Sequence, residues 1–294
     1  MNAPSRFVDR PLLGILLFCA TTMCFAALDT GAKYLTRDYH PIQVVWGRYF
    51  FQALLLLPVV LRRGPARAFA SVRPGVQVAR GLLISVITLT FFASLQYLPL
   101  VDAQAISFTM PLILTALAAF VLRERVGPRR WTAVAIGFAG VMLVIRPTAD
   151  GLHWAAVLCL AAAALNACFH LMTRTLAAAD APGVGIMYAG FIGTAIFSAL
   201  VPFVWVPVEP MAWLIFAGIG GLGALGHFWL SQAYIYARAV VLAPYIYLQL
   251  VWVAGFGFVL FGDVPDAATV AGAGIVVAAG LYVLYRERRL KEGG

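Results

Sequence analysis

Residues 97–124 read YLPLVDAQAISFTMPLILTALAAFVLRE, and residues 236–263 read YARAVVLAPYIYLQLVWVAGFGFVLFGD. Laid over each other at a constant offset of 139, both open on a tyrosine and close on an acid, Glu124 or Asp263, with Leu122 falling on Phe261. Apolar runs of about 20 residues fit a bilayer span. Working outward, each stretch is followed by a further apolar segment with glycines. These are Val134–Val144 with Gly137 and Gly140, and Gly274–Leu284 with Gly280. Upstream, Leu28-Asp29 and Thr36-Arg37 match Leu165-Asn166 and Thr173-Arg174 at an offset of 137. The same order of features therefore runs twice along the chain.

The chain has 294 residues, 63% hydrophobic and 11% charged, and a mean hydropathy of +0.91. Soluble domains carry about 45–50% apolar and about 25% charged residues. This composition cannot cover a water-facing surface, which excludes a soluble globular protein, a disordered chain and a disulfide-stapled secreted module. Ten apolar segments follow: 12–32, 42–61, 81–98, 101–122, 128–145, 153–173, 183–205, 211–235, 240–261 and 267–285. Of the loops between them, Arg62 to Arg80 alone has room for an interfacial segment. The first run, after Arg6 and Arg10 and with Ala26 and Ala27 near its end, resembles a signal peptide. It is too long for a typical signal core and no soluble domain follows, so it reads as the first span.

The formal net charge is +9. With the N-terminus in the cytoplasm, 17 of the 21 Lys and Arg fall on that side, Lys33, Arg37 and Arg146 fall on the other, and Arg48 lies inside a span. That asymmetry satisfies the positive-inside rule and places both termini in the cytoplasm. The basic excess then reads as topology and contact with anionic lipid heads, not as nucleic-acid binding. Cys19, Cys24, Cys159 and Cys168 lie in apolar runs without CxxC spacing, as buried thiols do, and no metal-ligand cluster is present.

Five helices per repeat is an odd number, so the second copy must be inverted relative to the first. The loop after Leu122 is basic and the one after Phe261 carries Asp263 and Asp266. The expected fold is all-α and integral to the membrane: ten transmembrane helices in two inverted five-helix repeats, 1–150 and 151–294. Inverted repeats recur in transporters, where exchanging the conformations of two similar halves moves a cavity from one face to the other.

The helix-two segment Trp46-Gly47-Arg48-Tyr49-Phe50-Phe51-Gln52-Ala53 also carries a family resemblance, as do Tyr97–Glu124 ending Phe120-Val121-Leu122-Arg123-Glu124, the Gly137–Gly140 helix and Leu260-Phe261-Gly262-Asp263. Over nearly its whole length the chain resembles the drug/metabolite transporter superfamily, EamA type, and within it bacterial exporters of aromatic and other amino acids. Asp263 stands where the family usually has glutamate, also an acid. The resemblance implies a multi-pass protein of the bacterial inner membrane that exports small molecules without a bound cofactor.

Polar groups inside spans are costly and become functional candidates. Asp29 in span one and Arg48 in span two lie at similar depth on antiparallel helices, so an ion pair or a shared water-filled cavity is expected between them. Gln52, Gln104, Asn166, His170, His227 and Gln249, with Tyr97, Phe108, Trp229 and Tyr245, would give a polar and aromatic cavity wall. Such a wall suits a zwitterion with an apolar side chain: aromatic faces take the ammonium or stack, and amides hold the carboxylate. Each aromatic can equally be packing or lipid belt. His170 and His227 titrate near neutrality when unperturbed, but Asp29 is the one carboxylate well inside a span, which argues against a dense proton relay. Pro111 and Pro244 each remove a helix hydrogen bond, and Gly221 and Gly223 in span eight allow bending or close approach; these four are the candidate hinges.

Gly218-Ile219-Gly220-Gly221-Leu222-Gly223 fits GxGxxG, but a dinucleotide site needs a preceding strand and a later acid, and here an apolar span surrounds the motif. Walker A, HExxH and GxSxG motifs are absent from the sequence. Amino-acid export by alternating access leads; drug or quaternary-ammonium efflux is the alternative, weakened by the off-centre position of Asp29. An integral-membrane enzyme would need a catalytic constellation at one depth, and a structural protein would not need an inverted repeat. Ten spans can enclose a complete path, so a monomer suffices.

Overall fold

The computed structural model describes residues 10–121, 127–147, 153–176, 180 and 183–292. Among them, ten helices are long and apolar enough to cross a membrane. They are α1 (Pro11–Leu35), α2 (Pro41–Arg63), α3 (Pro74–Leu95), α4 (Leu100–Val121), α5 (Pro128–Ile145), α6 (Trp154–Leu176), α7 (Val184–Val204), α8 (Pro210–Tyr236), α9 (Ala243–Phe261) and α10 (Ala267–Glu292). No strand occurs among the described residues.

Five of these helices start on proline (α1, α2, α3, α5 and α8). Proline suits that place because its missing N–H would be unpaired there in any helix. The rule also explains one boundary the hydropathy places late. α3 begins at Pro74, not at residue 81, so Arg80 lies inside the helix. The linker before it holds a one-turn helix, Pro65–Ala68. Leu122, Arg123, Glu124 and Arg125 lie outside the described residues.

Large apolar side chains point outward: Phe120 is 74% exposed and Val259 75%. Polar ones such as Gln43, Gln52, Ser94 and Thr109 are buried. This inversion of the soluble pattern is expected where the solvent is lipid.

Contacts between helix ends fix an up-and-down course. Arg10 N–H donates to Tyr236 O, and Asp180 takes hydrogen bonds from Ser71 and Gln77, on what we call the near face. On the far face Gln43 and Val206 exchange two hydrogen bonds, and Lys33 Nζ donates to Leu98 O.

The main helix pairings follow a rule. α1 packs on α8 and α6 on α3; α2 on α8 and α7 on α3; α1 on α9 and α6 on α4. In addition α2 meets α7, α4 meets α9 and α5 meets α10. Replacing every helix by the one five places away returns the same set. Phe108 and Tyr247, the residues that the offset of 139 superposes, pack ring against ring at 5.1 Å.

Both members of the α4/α9 pair are discontinuous. α4 is helical over Leu100–Ser107 and again over Met110–Val121, broken at Phe108–Thr109 just before Pro111. α9 begins as a 3₁₀ turn, Ala243–Tyr247, which contains Pro244, and becomes α-helical from Leu248. α8 runs unbroken through Gly221 and Gly223.

Candidate functional site

Asp29 and Arg48 are each 8% exposed, and they do not form the expected ion pair. Among the described residues the sole ion pair within 4 Å is Arg146–Asp266. The reason is tertiary: α8 packs against both α1 and α2, standing between these consecutive helices. Each charge takes a neutral partner instead. Asp29 Oδ2 accepts from Gln249 Nε2 of α9 at 3.1 Å. Arg48 Nη1 donates to Thr88 Oγ1 of α3 at 3.0 Å, and that oxygen also meets the Tyr49 hydroxyl at 2.9 Å. The guanidinium lies over the Tyr49 ring at 4.8 Å and within 6.0 Å of Phe92, where cation–π attraction contributes.

Two buried atoms in this region bond nothing: Arg48 Nε and Gln52 Oε1. Both look towards Gly223 of α8, where a Cβ would lie 3.3 Å from Gln52 Oε1 and 3.9 Å from Arg48 Nε. His227, one turn further along α8, stacks edge-on against Phe25 of α1 at 5.0 Å and lies within electrostatic reach of Arg48. Asp29 and Arg48 are likewise close enough to interact electrostatically across the gap. The structure thus gathers Asp29, Arg48, Gln52, His227 and Gln249 from α1, α2, α8 and α9.

The break in α4 lies next to this group. Cys159 of α6 donates to Ala103 O at 3.1 Å and meets Ser107 Oγ at 3.5 Å, within electrostatic reach of Asp29. Gln104 and Phe108 are buried in the same stretch. Asn166 and His170 follow Cys159 at helical spacing along α6, partly buried and exposed respectively.

Three predicted residues fall elsewhere. Tyr97 is 54% exposed on the far face and packs on Trp154 at 4.4 Å, an arrangement of the interfacial-belt kind. Trp229 lies two residues past His227, roughly 200° round the helix at about 100° per residue. Tyr245 packs with the Phe18, Ala233 and Leu242 cluster. Thr88, Phe25 and Tyr49 escape the sequence reading. A helical threonine usually bonds its own preceding turn, as Thr88 does to Ile84 O, and nothing local marks it as an arginine partner.

A charged cluster lies at the far-face helix ends. Arg146 donates to Asp266 and Thr269, and Thr269 Oγ1 donates to Asp102 at 3.0 Å. Lys33 and Arg37 lie over the Phe261 ring. All three basic residues assigned to this face therefore converge on one cluster linking α1, α4, α5, α9 and α10. The Arg146 hydrogen bond, with the Thr269 N–H, holds the Asp266 carboxyl down at about 2. Its charge is present above the ordinary value of about 4 and is lost only as pH falls through about 2. Spin labels at the far-face ends of α5 and α10 should keep one separation from pH 7 to pH 4, whereas Asp266→Asn should lengthen it at every pH.

Among the described residues, ten helices long and apolar enough to cross a membrane surround a polar centre with two opposite charges held apart, which defines a multi-pass membrane protein. Residues 12–146 match the EamA-like transporter family. Residues 12–146 thus carry an EamA-like domain, of the drug/metabolite transporter superfamily, and this domain with the ten apolar helices indicates a multi-pass transporter of the bacterial inner membrane, not an enzyme. It is 29% identical to an S-adenosylmethionine uptake transporter of Rickettsia felis, over 95% of this chain and 94% of that one. It is also 29% identical to a riboflavin transporter of Rhizobium johnstonii, over 98% and 97%. A pseudopaline exporter of Pseudomonas aeruginosa is 24% identical over 90% and 94%. A protein crystal structure 17% identical in sequence has the same fold, with a TM-score of 0.60 over 92% of this chain and 98% of that one.

Proposed function

We propose that this transporter exports amino acids, aromatic and other apolar ones included, by alternating access, and that Asp29 and Arg48 hold the two ends of the zwitterion. The observation that carries this reading is the separated charge pair. Each pole is capped on one side by a neutral group, Gln249 or Thr88, and Arg48 keeps an unspent Nε–H. A bound carboxylate would complete Arg48 with a charge-assisted bond, and an ammonium would complete Asp29. Phe25 and His227 supply faces for an apolar side chain. S-adenosylmethionine, named for the Rickettsia felis relative, also ends in an amino-acid group.

The halves 1–150 and 151–294 act as inverted repeats in this proposal, with both termini cytoplasmic. The exchange rule among helix pairs and the Phe108–Tyr247 contact support that arrangement. The breaks beside Pro111 and Pro244 are the natural bending points, while Gly223 serves close approach.

Proteoliposomes test the cargo. Labelled tryptophan, phenylalanine and methionine should exchange across the membrane, and S-adenosylmethionine, riboflavin and a quaternary-ammonium panel form the comparison. Flux of quaternary ammonium without amino acids would replace this reading by drug efflux. Asp29→Asn should raise KM for amino acids about tenfold or more, the scale of a lost charged hydrogen bond, while leaving the yield of folded protein unchanged. Reporter tags at the two ends should both report the cytoplasm.

A further inference from the structure

A second cation inside a span is also incomplete. Arg80 lies six residues into α3, about 9 Å from its near-face start at 1.5 Å per residue. Its Nη1 donates to Gln77 Oε1 at 2.8 Å, and its guanidinium covers the Phe169 ring of α6 at 4.7 Å. Across α7 the neighbour is Gly185, where a Cβ would lie 2.9 Å from Nη1, so a larger residue there would press on the guanidinium. Arg80 Nε is buried and bonds nothing. The carboxylate nearby, Asp180, is taken up by Ser71 Oγ, the Val72 N–H and Gln77 Nε2, and no ion pair joins it to Arg80 among the described residues. His170 lies within electrostatic reach of Arg80. Its side chain is exposed.

With Nη1 given to Gln77, Nε is left without a partner on the side-on edge of the fork. That edge matches two oxygens of a carboxylate or phosphate side-on. A cation in a span whose neighbouring carboxylate, Asp180, is spent on other donors and makes no direct bond to it is costly, and an arriving oxyanion offsets the cost. We infer that Arg80, with Gln77 and His170, forms a second oxyanion site in the near-face vestibule between α3, α6 and α7. Its ligand is a carboxylate or phosphate group, supplied either by cargo on its way to the central site or by the headgroup of an anionic lipid.

The test needs no transport and so stands apart from the cargo proposal. Thermal unfolding of the purified protein is followed in zwitterionic-lipid nanodiscs, with inorganic sulfate replacing chloride at constant ionic strength. Sulfate should raise the Tm saturably. Arg80→Gln should weaken this apparent affinity about tenfold or more, the scale of a charged hydrogen bond. Arg80→Lys, which keeps the charge and loses the fork, should weaken it severalfold, and Arg63→Gln, at the exposed near-face end of α2, should leave it within about twofold. The lysine variant keeps the test valid if the glutamine variant folds poorly. Competition by phosphatidylglycerol in the nanodisc identifies the lipid as the source; competition by free carboxylic acids identifies cargo. Saturable sulfate binding of equal strength in wild type and Arg80→Gln, or no saturable binding, overturns the site.

Discussion

Arg48→Gln should lower the transport rate at least about 100-fold, or about 2.7 kcal/mol at 1.36 kcal/mol per tenfold, while the protein inserts and unfolds as wild type does. Glutamine keeps an amide N–H that can follow Nη1 towards Thr88, so the link between α2 and α3 is preserved in kind. What disappears is the positive pole and the unspent Nε–H. Steady-state exchange in proteoliposomes, paired with thermal unfolding, checks both halves of this expectation. A rate within about threefold of wild type, less than 1 kcal/mol, would remove Arg48 from the site. A collapse of folded yield in both Arg48→Gln and Arg48→Lys would instead make Arg48 a structural residue. Thr88→Val should fall between wild type and Arg48→Gln, because it frees the guanidinium without removing it.

The second large effect is on folding. Gly220→Val should abolish recovery of folded protein. A Cβ at Gly220 would lie 2.5 Å from Phe51 Cβ and 3.0 Å from both Arg48 O and Gln52 N of α2. Backbone cannot give way as a flexible side-chain tip can, so α8 and α2 must separate. Overpacking commonly costs about 1–3 kcal/mol and occasionally more, and here the displaced contact is the one that holds the central site. Gly218→Ala, two residues earlier and with nothing within 4 Å, should be silent. Gly221→Ala, which meets only Leu55 Cδ1 at an ordinary 3.7 Å, should be silent too. Folded yield by size-exclusion profile and Tm reads all three variants together. Equal behaviour of Gly220→Val and Gly218→Ala would refute close approach as the role of this glycine run.

That contrast shows what the glycine run means. As letters, Gly218 to Gly223 fit a dinucleotide motif. In the fold they form a graded surface on which Gly220 admits the backbone of α2, Gly223 faces Arg48 and Gln52, and Gly218 touches nothing.

The ten spans were legible in the sequence because hydropathy and charged loops act through the bilayer on each segment separately, without reference to a neighbour. The same holds for the candidacy of Asp29, Arg48 and Gln249: a polar group in a span is costly wherever its partner lies. Partnership itself is a property of two helices that meet, and sequence order misleads there. α1 and α2 are consecutive, yet α8 stands between them, so Asp29 bonds a residue 220 positions away and Arg48 one 40 positions away. The same cause left Tyr97 on the far face with Trp154, and it brought Arg146, Asp266, Thr269 and Asp102 together from three helix ends. Solvation by lipid is local and was written residue by residue; which buried charge answers which was decided only when the helices packed.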